Sequence, residues 1–340
     1  MDTQATPIRK RIASYGEVMM RLETPLYQML EQTNQLNFSF VGTGVNLLAS
    51  LYKLGHQTAL VTALPDNQIG RAGAAQLRKL GIGDQFVAHT GGHIGSYLLE
   101  LGYGPRPSVV TYQDRLGSSF CQSTPHDPVA VSQWADLIHV CGITLSLTEH
   151  TRAGALALAR TAKAQGKQLC FDFNYRPKLN KNNDWAVLKS EYEQMLTHSD
   201  IVFGNHQDLS KLFGIDHVTG TDTLNHLKVL ADKLMQTYAI ETFCGTVRQQ
   251  ERIVGFIIDS TGLHMTPSAD ISHKLDRIGS GDAFAATVLH GLSQGWPHQQ
   301  TLTYATASSV LAHTTLGDVP LFNQDQLRQF IDNPHLDLLR

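Results

Sequence analysis

Residues 273–292, HKLDRIGSGDAFAATVLHGL, set two glycines, a serine and an aspartate directly before a run of helix formers. Gly279 and Gly281 disfavour regular structure, whereas residues 283–292 predict a helix, so Asp282 falls at or beside its N-terminus. Small residues at such a point let backbone N–H groups face a shared concavity. The helix behind them adds partial positive charge, a setting suited to a phosphate or an anionic transition state. The aspartate has two readings. Residue type alone favours a helix cap. The alternative is a base, kept ionised by the helix dipole, that takes a proton from an attacking hydroxyl while the amides hold the phosphoryl group. The string is not a Walker A loop, since it lacks GKS or GKT. Nor is it a dinucleotide fingerprint, since the third glycine is missing and the motif comes late in the chain.

Outward from this loop, apolar runs of strand length alternate with longer amphipathic segments. IASYGEVMM, TALVTAL, DQFVAH, ADLIHVCG, KQLCFDF and DIVFG read as strands. VNLLASLYKL, IGRAGAAQLRKL, ARTAKAQG, DWAVLKSEYEQML and HLKVLADKLMQTY read as helices. This rhythm predicts an α/β fold, a parallel sheet covered on both faces, with nearly the whole chain, 1–340, in one domain. Residues 23–40 and 93–120 break the rhythm. Their alternation and turn residues predict a small antiparallel sheet, either a surface excursion or a lid over a site at the C-terminal strand ends.

With 42% apolar residues in 340, the chain can bury a large core. Its 27 basic and 30 acidic side chains give no nucleic-acid footprint, and the RKR at 9–11 reads as a frayed, solvated terminus. Cys121, Cys141, Cys170 and Cys244 are far apart and read as buried free thiols of a reducing compartment. MDTQATPIRKR has no apolar signal core, and no stretch is long and apolar enough to span a bilayer, so a cytoplasmic location is expected. The glycines of HTGGH at 89–93 argue against a metal-binding helix there.

The longer string DRIGSGDAFAATVLHGL resembles the C-terminal signature of the ribokinase-like (PfkB) carbohydrate kinases, close to D-T-x-G-A-G-D-x-F. GEVMMRL at 16–22 looks like that family's opening strand, and GTGVNLLASLYKLG at 42–55 like its sugar-binding helix. LPDNQIG at 64–70 resembles its D-x-x-G turn, and GNHQDLSKLFG at 204–214 the segment that meets the nucleotide. Within the family, FDFNYRPKL at 171–179, DRIGSGDAF and LAHTTLGD at 311–318 are most similar to 2-keto-3-deoxygluconate kinases. The resemblance implies a three-layer α/β/α fold with a mostly parallel central sheet and a β-sheet lid. It implies ATP-dependent phosphorylation of a sugar or sugar-acid hydroxyl, with magnesium held largely through phosphates and water, and a dimer formed through the lid.

It also implies residue roles. Asp282 would be the base, and Gly279, Ser280 and Gly281 the anion hole. Gly42 and Asn46 would face the sugar, with Arg176 in its pocket and Tyr97 and Arg115 reaching down from the lid. Two arginines suit a carboxylate. Asn205 would approach the phosphates, Thr246 and Arg248 would flank them, and His313 would lie near the adenine loop; no metal ligand is assigned. The chain departs from the pattern in four places. Residues 41–46 read VGTGVN in place of G-G-A-E-A-N; Asp208 replaces the glutamate of N-x-x-E; and Ser280 replaces an alanine. Tyr112 stands one residue farther from Arg115 than in relatives, which weakens any role for it. The rival readings are a kinase for fructose, ribose or a related sugar, a dinucleotide-dependent oxidoreductase, which VGTGVN fails to support, and a non-catalytic sugar sensor on a kinase fold.

Overall fold

The computed structural model describes residues 8–123, 126–181, 183–215, 223–272 and 274–333. The segment 1–7, on which the reading of the N-terminus partly rested, lies outside them. In chain order the first half contains β1 (Arg11–Tyr15), β2 (Met19–Glu23), β3 (Asn37–Val41), α1 (Thr43–Lys53), β4 (Gln57–Leu64), α2 (Gln68–Lys79), β5 (Ile82–Gly83), β6 (Val87–His89), β7 (Ser96–Glu100) and β8 (Val109–Gln113). Next come α3 (Pro128–Trp134), β9 (Leu137–Cys141), α4 (Gly142–Leu147), α5 (Glu149–Ala164), β10 (Gln168–Asp172), α6 (Trp185–Leu196), β11 (Ile201–Phe203), α7 (His206–Phe213) and α8 (Thr223–Tyr238). The chain closes with β12 (Thr242–Gln249), β13 (Arg252–Asp259), β14 (Gly262–Met265), β15 (Ala269–Asp270), α9 (Ser280–Gln294), α10 (His298–Ala312) and α11 (Gln324–Asp332).

The large sheet runs β14-β13-β12-β11-β10-β9-β1-β4-β5, with β15 on β13 and β6 on β4. From β12 to β5 every pairing is parallel; β13 and β14 add an antiparallel edge. Alternate strand residues serve opposite faces, as the two-residue period requires. Ile138, Val140, Leu169, Phe171 and Val202 pack with α3, α5, α6 and α8. Leu137, Cys170, Ile201, Phe203 and Cys244 pack with α1, α2, α9 and α10. All four cysteines are buried and free. Burial pushes the Cys121 thiol up to about 11 and the Cys141 thiol up to about 12. No helix among the described residues is long and apolar enough to cross a membrane.

Three expectations are corrected. The single strand read across IASYGEVMM, with its GEVMMRL half as the opening strand, is divided. Main-sheet pairing in β1 ends near Gly16, whose N–H donates to Val61 O (3.2 Å). The chain then turns out to form β2, so the small sheet starts at Met19 rather than at residue 23, in the order β3-β2-β7-β8, and it is mixed rather than wholly antiparallel because β2 pairs in parallel with β7. The RKR terminus is not frayed at Arg11. That residue opens β1, and its N–H donates to Asp136 Oδ2 (2.8 Å).

The small sheet is fastened to the large domain by Arg21 on β2, which is 1% exposed. Its guanidinium donates to Asp276 Oδ2 (2.9 Å), to Asp318 and to Glu23. Burial alone would lower the Arg21 pKa, but the carboxylates of Asp318, Asp276 and Glu23 outweigh it and raise it. Ile278 packs on the apolar side of the small sheet, beside Met19, Val41 and Tyr97. Arg21→Met would leave buried carboxylates without their cation. A loss of about 3–5 kcal/mol in urea unfolding is expected; a loss below about 1 kcal/mol would show that the cluster does not hold the two sheets together.

Candidate active site

The C-terminal ends of the parallel strands converge on the N-terminus of α9. Gly279 is the residue before the helix, at φ +83°, and a Cβ there would overlap the Asp318 carbonyl oxygen, so glycine is required for both reasons. At Gly281 a Cβ would meet nothing, so this turn faces open space. The Ser280 hydroxyl donates to Arg277 O (3.0 Å), tying the loop to itself. Asp282 stands in the first turn, and its Oδ2 accepts from Asn46 Nδ2 (2.7 Å) on α1. The Asn46 Oδ1 is buried with no hydrogen-bond partner among the described residues. Sequence positions 46 and 282 thus meet in one place.

Burial works against the expectation that the helix dipole keeps Asp282 ionised. Burial pushes its carboxyl up to about 8, and the charges of Asp172 and Asp318 add to the rise, against the Asn46 hydrogen bond and the Arg176 charge. One helix terminus, falling off within a turn, is too weak to offset them. Asp172, at the end of β10, is itself pushed up to about 6 by burial, which Arg176 and two hydrogen bonds from Asn174 only partly oppose. Asp208 on α7 is pushed up to about 7, by burial first and by Asp172 among the further causes. Arg176 is exposed on the loop after β10, where its charge acts on all three acids.

Other expected residues are placed differently from a simple ligand shell. Asn205 caps α7: its Oδ1 accepts from Gln207 N (2.7 Å) and Asp208 N (3.2 Å), while Asp208 Oδ2 accepts from Asn205 N (2.9 Å). Gly42 makes its close approach to protein, since a Cβ there would overlap the Glu17 carbonyl oxygen. Tyr97 donates its hydroxyl to Asp318 Oδ2 (2.8 Å). Arg115 is held by Glu17, with Nε 3.1 Å from both carboxylate oxygens. Thr246 is half-buried on β12. Two residues farther, Arg248 Nη2 donates to His313 Nε2 (3.0 Å), whose Nδ1–H donates to Ser309 O (2.7 Å). Those bonds fix a neutral tautomer, and burial lowers the His313 pKa further.

Sequence reasoning missed several neighbours. Arg277 and Lys274 add positive charge beside Arg248 and His313, on the nucleotide side of the expected site. Arg277 stood inside the quoted motif, but nothing in the string marked it apart from a surface arginine. Asp318, also inside a quoted motif, is the shared partner of Arg21 and Tyr97. Tyr112 pairs across from Tyr97 in the sheet register, and the Arg115 guanidinium lies 5.1 Å above its ring. The shifted spacing of Tyr112 from Arg115 therefore still brings the two side chains together.

With a folded value near 8 against an ordinary 3.8, Asp282 keeps a proton that the unfolded chain has already released. Stability of the ligand-free protein therefore falls as pH rises through that window. Asp282→Asn, which stays neutral, is expected to gain on the wild type from about pH 4 to about pH 8. Urea unfolding at a series of pH values measures the gap, and a flat difference would contradict the assignment.

Comparison with known proteins bears on the family and the fold. The chain matches the model of the pfkB family carbohydrate kinases over residues 9–323. A crystal structure from Enterococcus faecalis, of a protein provisionally named 2-keto-3-deoxygluconate kinase, superposes with a TM-score of 0.92 at 45% identity, covering 97% of this chain and 99% of that one. The 2-dehydro-3-deoxygluconokinase of Thermotoga maritima gives 0.88 at 27% identity, over 95% of this chain and all (100%) of the other. The 2-dehydro-3-deoxygalactonokinase of Haloferax volcanii is 27% identical over 321 residues, 94% of this chain and 96% of that protein. Fold, motif and relatives converge, and the chain belongs to the PfkB family of carbohydrate kinases.

Proposed function

We propose that this sugar kinase transfers the γ-phosphoryl group of ATP to the 6-hydroxyl of 2-keto-3-deoxygluconate. The observation that carries the reading is the meeting of Asp282, Asn46 and the open turn at Gly281. It sets a carboxylate beside unsatisfied helix amides, where an alcohol and a phosphoryl group can meet. The ionised fraction of Asp282 is the base, and a base works best with a pKa near the working pH. The hydroxyl gives its proton to Asp282 as its oxygen bonds to the γ-phosphorus; the bond to the bridging oxygen breaks and ADP leaves. The amides of 279–281 hold the equatorial oxygens, and Arg248, Arg277 and Lys274 supply positive charge toward the nucleotide.

Magnesium would neutralise phosphate charge. The donors present fit it: buried Asp208 and half-buried Asp172 offer hard oxygens suited to bound water. The orphaned Asn46 Oδ1 fits a sugar hydroxyl donor. The preference for an acid rests on Arg176, an exposed cation whose charge acts on Asp172, Asp208 and Asp282. The small sheet, tied to the α9 loop through Arg21, would act as a lid that excludes water. All five residues of its edge strand β8 are exposed, with Val109, Val110 and Tyr112 among them, so we assign this edge to a dimer.

A phosphorylation panel of 2-keto-3-deoxygluconate, 2-keto-3-deoxygalactonate, 5-keto-2-deoxygluconate, fructose and ribose tests the substrate. The first is expected to give the highest kcat/KM, and a neutral sugar in that place would reject the acid reading. Asp282→Asn should lower kcat by at least about 10²-fold. Arg176→Ala should cost the keto acid about tenfold or more in kcat/KM, the loss of one charged hydrogen bond, and cost fructose less; equal losses would reject carboxylate recognition. Val110→Lys should shift light-scattering mass from dimer to monomer, and a wild type that is already monomeric would end the dimer proposal.

A further inference from the structure

A second cluster of chemically capable side chains lies far from Asp282. It comprises Asp259 at the end of β13, His264 on β14 and His298 at the start of α10, with one ligand atom from each within 4.8 Å of the others. Because β13 runs antiparallel to β12 with Ile258 opposite Phe243, Asp259 lies at the level where the parallel strands begin. The α9–α10 turn reaches that same end. The 15 residues of α9 therefore separate the cluster from the anion loop, about 22 Å along the helix.

The three groups already face one another. His298 Nε2 is 2.7 Å from Asp259 Oδ2, and His264 Nε2 is 3.8 Å from Asp259 Oδ1. The two imidazole rings lie 4.6 Å apart. The Thr261 hydroxyl donates to Asp259 Oδ1 (2.6 Å) and lies 2.8 Å from His264 Nε2. The Thr261 N–H also donates to Asp259 Oδ1 (2.8 Å), which fixes the orientation of the carboxylate. The His298 Nδ1 is buried with no partner among the described residues, so it can carry the ring proton when Nε2 is bound. All three side chains keep some exposure, 15%, 32% and 24% for Asp259, His264 and His298, which leaves an entry path and room for a water ligand.

We propose that Asp259, His264 and His298 bind a borderline divalent transition ion of the zinc class, separate from the magnesium that accompanies ATP. Two imidazoles with one carboxylate match zinc's ligand set, whereas magnesium takes oxygen ligands almost exclusively. Three protein ligands leave a fourth position for water. Phosphoryl transfer uses none of these residues, so the ion's effect falls on stability: it joins the β13–β14 hairpin to α10, which packs along α9. Affinity falls on acidification, because protons compete for the imidazoles.

The test is calorimetric titration of chelator-stripped, full-length protein with Zn²⁺ alone, without nucleotide, beside His264→Gln, His298→Gln and Asp259→Asn. Circular dichroism without metal establishes that each variant folds. His264 is on a partly exposed hairpin, so His264→Gln keeps the test decisive if another variant fails to fold. The expected result is one saturable equivalent in the wild type, weakened at least about tenfold in each folded variant. A Zn²⁺-dependent rise in melting temperature should accompany it only in the wild type, and His264→Gln should keep normal activity with Mg-ATP. The other fourteen of the sixteen histidines set a diffuse background common to all variants. No saturable equivalent, equal affinity in wild type and His264→Gln, or displacement of Zn²⁺ by equimolar Mg²⁺ would each overturn the proposal.

Discussion

A single buried guanidinium orders the active end of this molecule. Arg21 belongs to the small sheet, yet its partners Asp276 and Asp318 belong to the loops that lead into α9 and out of α10. A charge taken out of water without partners costs several kcal/mol, so these segments cannot drift apart independently. Gly279 makes the arrangement sterically possible, since only a residue without Cβ lets the Asp318 carbonyl approach. Tyr97 adds a second tie from the small sheet to the same carboxylate. The amide end of α9 is therefore held in place by the fold itself.

That end is electrostatically tense. Asp172, Asp208, Asp282 and Asp318 are all shifted upward, chiefly by burial, and several raise one another. Both co-substrates, as proposed, are anions, so cations must meet them. In that proposal Arg176 would meet the sugar acid, and Arg248, Arg277 and Lys274 would meet the nucleotide. Such concentration of like charge is a cost to folding that function imposes.

Much of this was legible in the sequence because each visible signal had a local cause. The parallel strands advertised themselves as apolar runs, and the GSGDAF string marked the start of α9 by composition alone. The division of IASYGEVMM did not show, because β1 and β2 are both apolar and nothing between them except Gly16 signals a change of sheet. The antiparallel edge formed by β13 and β14 was also missed, although Gln250 at φ +54° and Gly262 at φ +120° turn the chain there. A glutamine gives no hint of a left-handed backbone. The Arg21 cluster was invisible for a different reason: its members are separated by up to 297 residues, and only the folded chain reveals that they share a charge.

The four cysteines, dispersed over both halves of the chain, have a use beyond packing. Each sulfur is sealed in the interior with its thiol held protonated well above neutral pH, and only the thiolate attacks an alkylating reagent. Their modification must then wait for the chain to open around them. Positions 121, 141, 170 and 244 thus form a built-in set of clocks, each recording how often its own stretch of the interior comes apart.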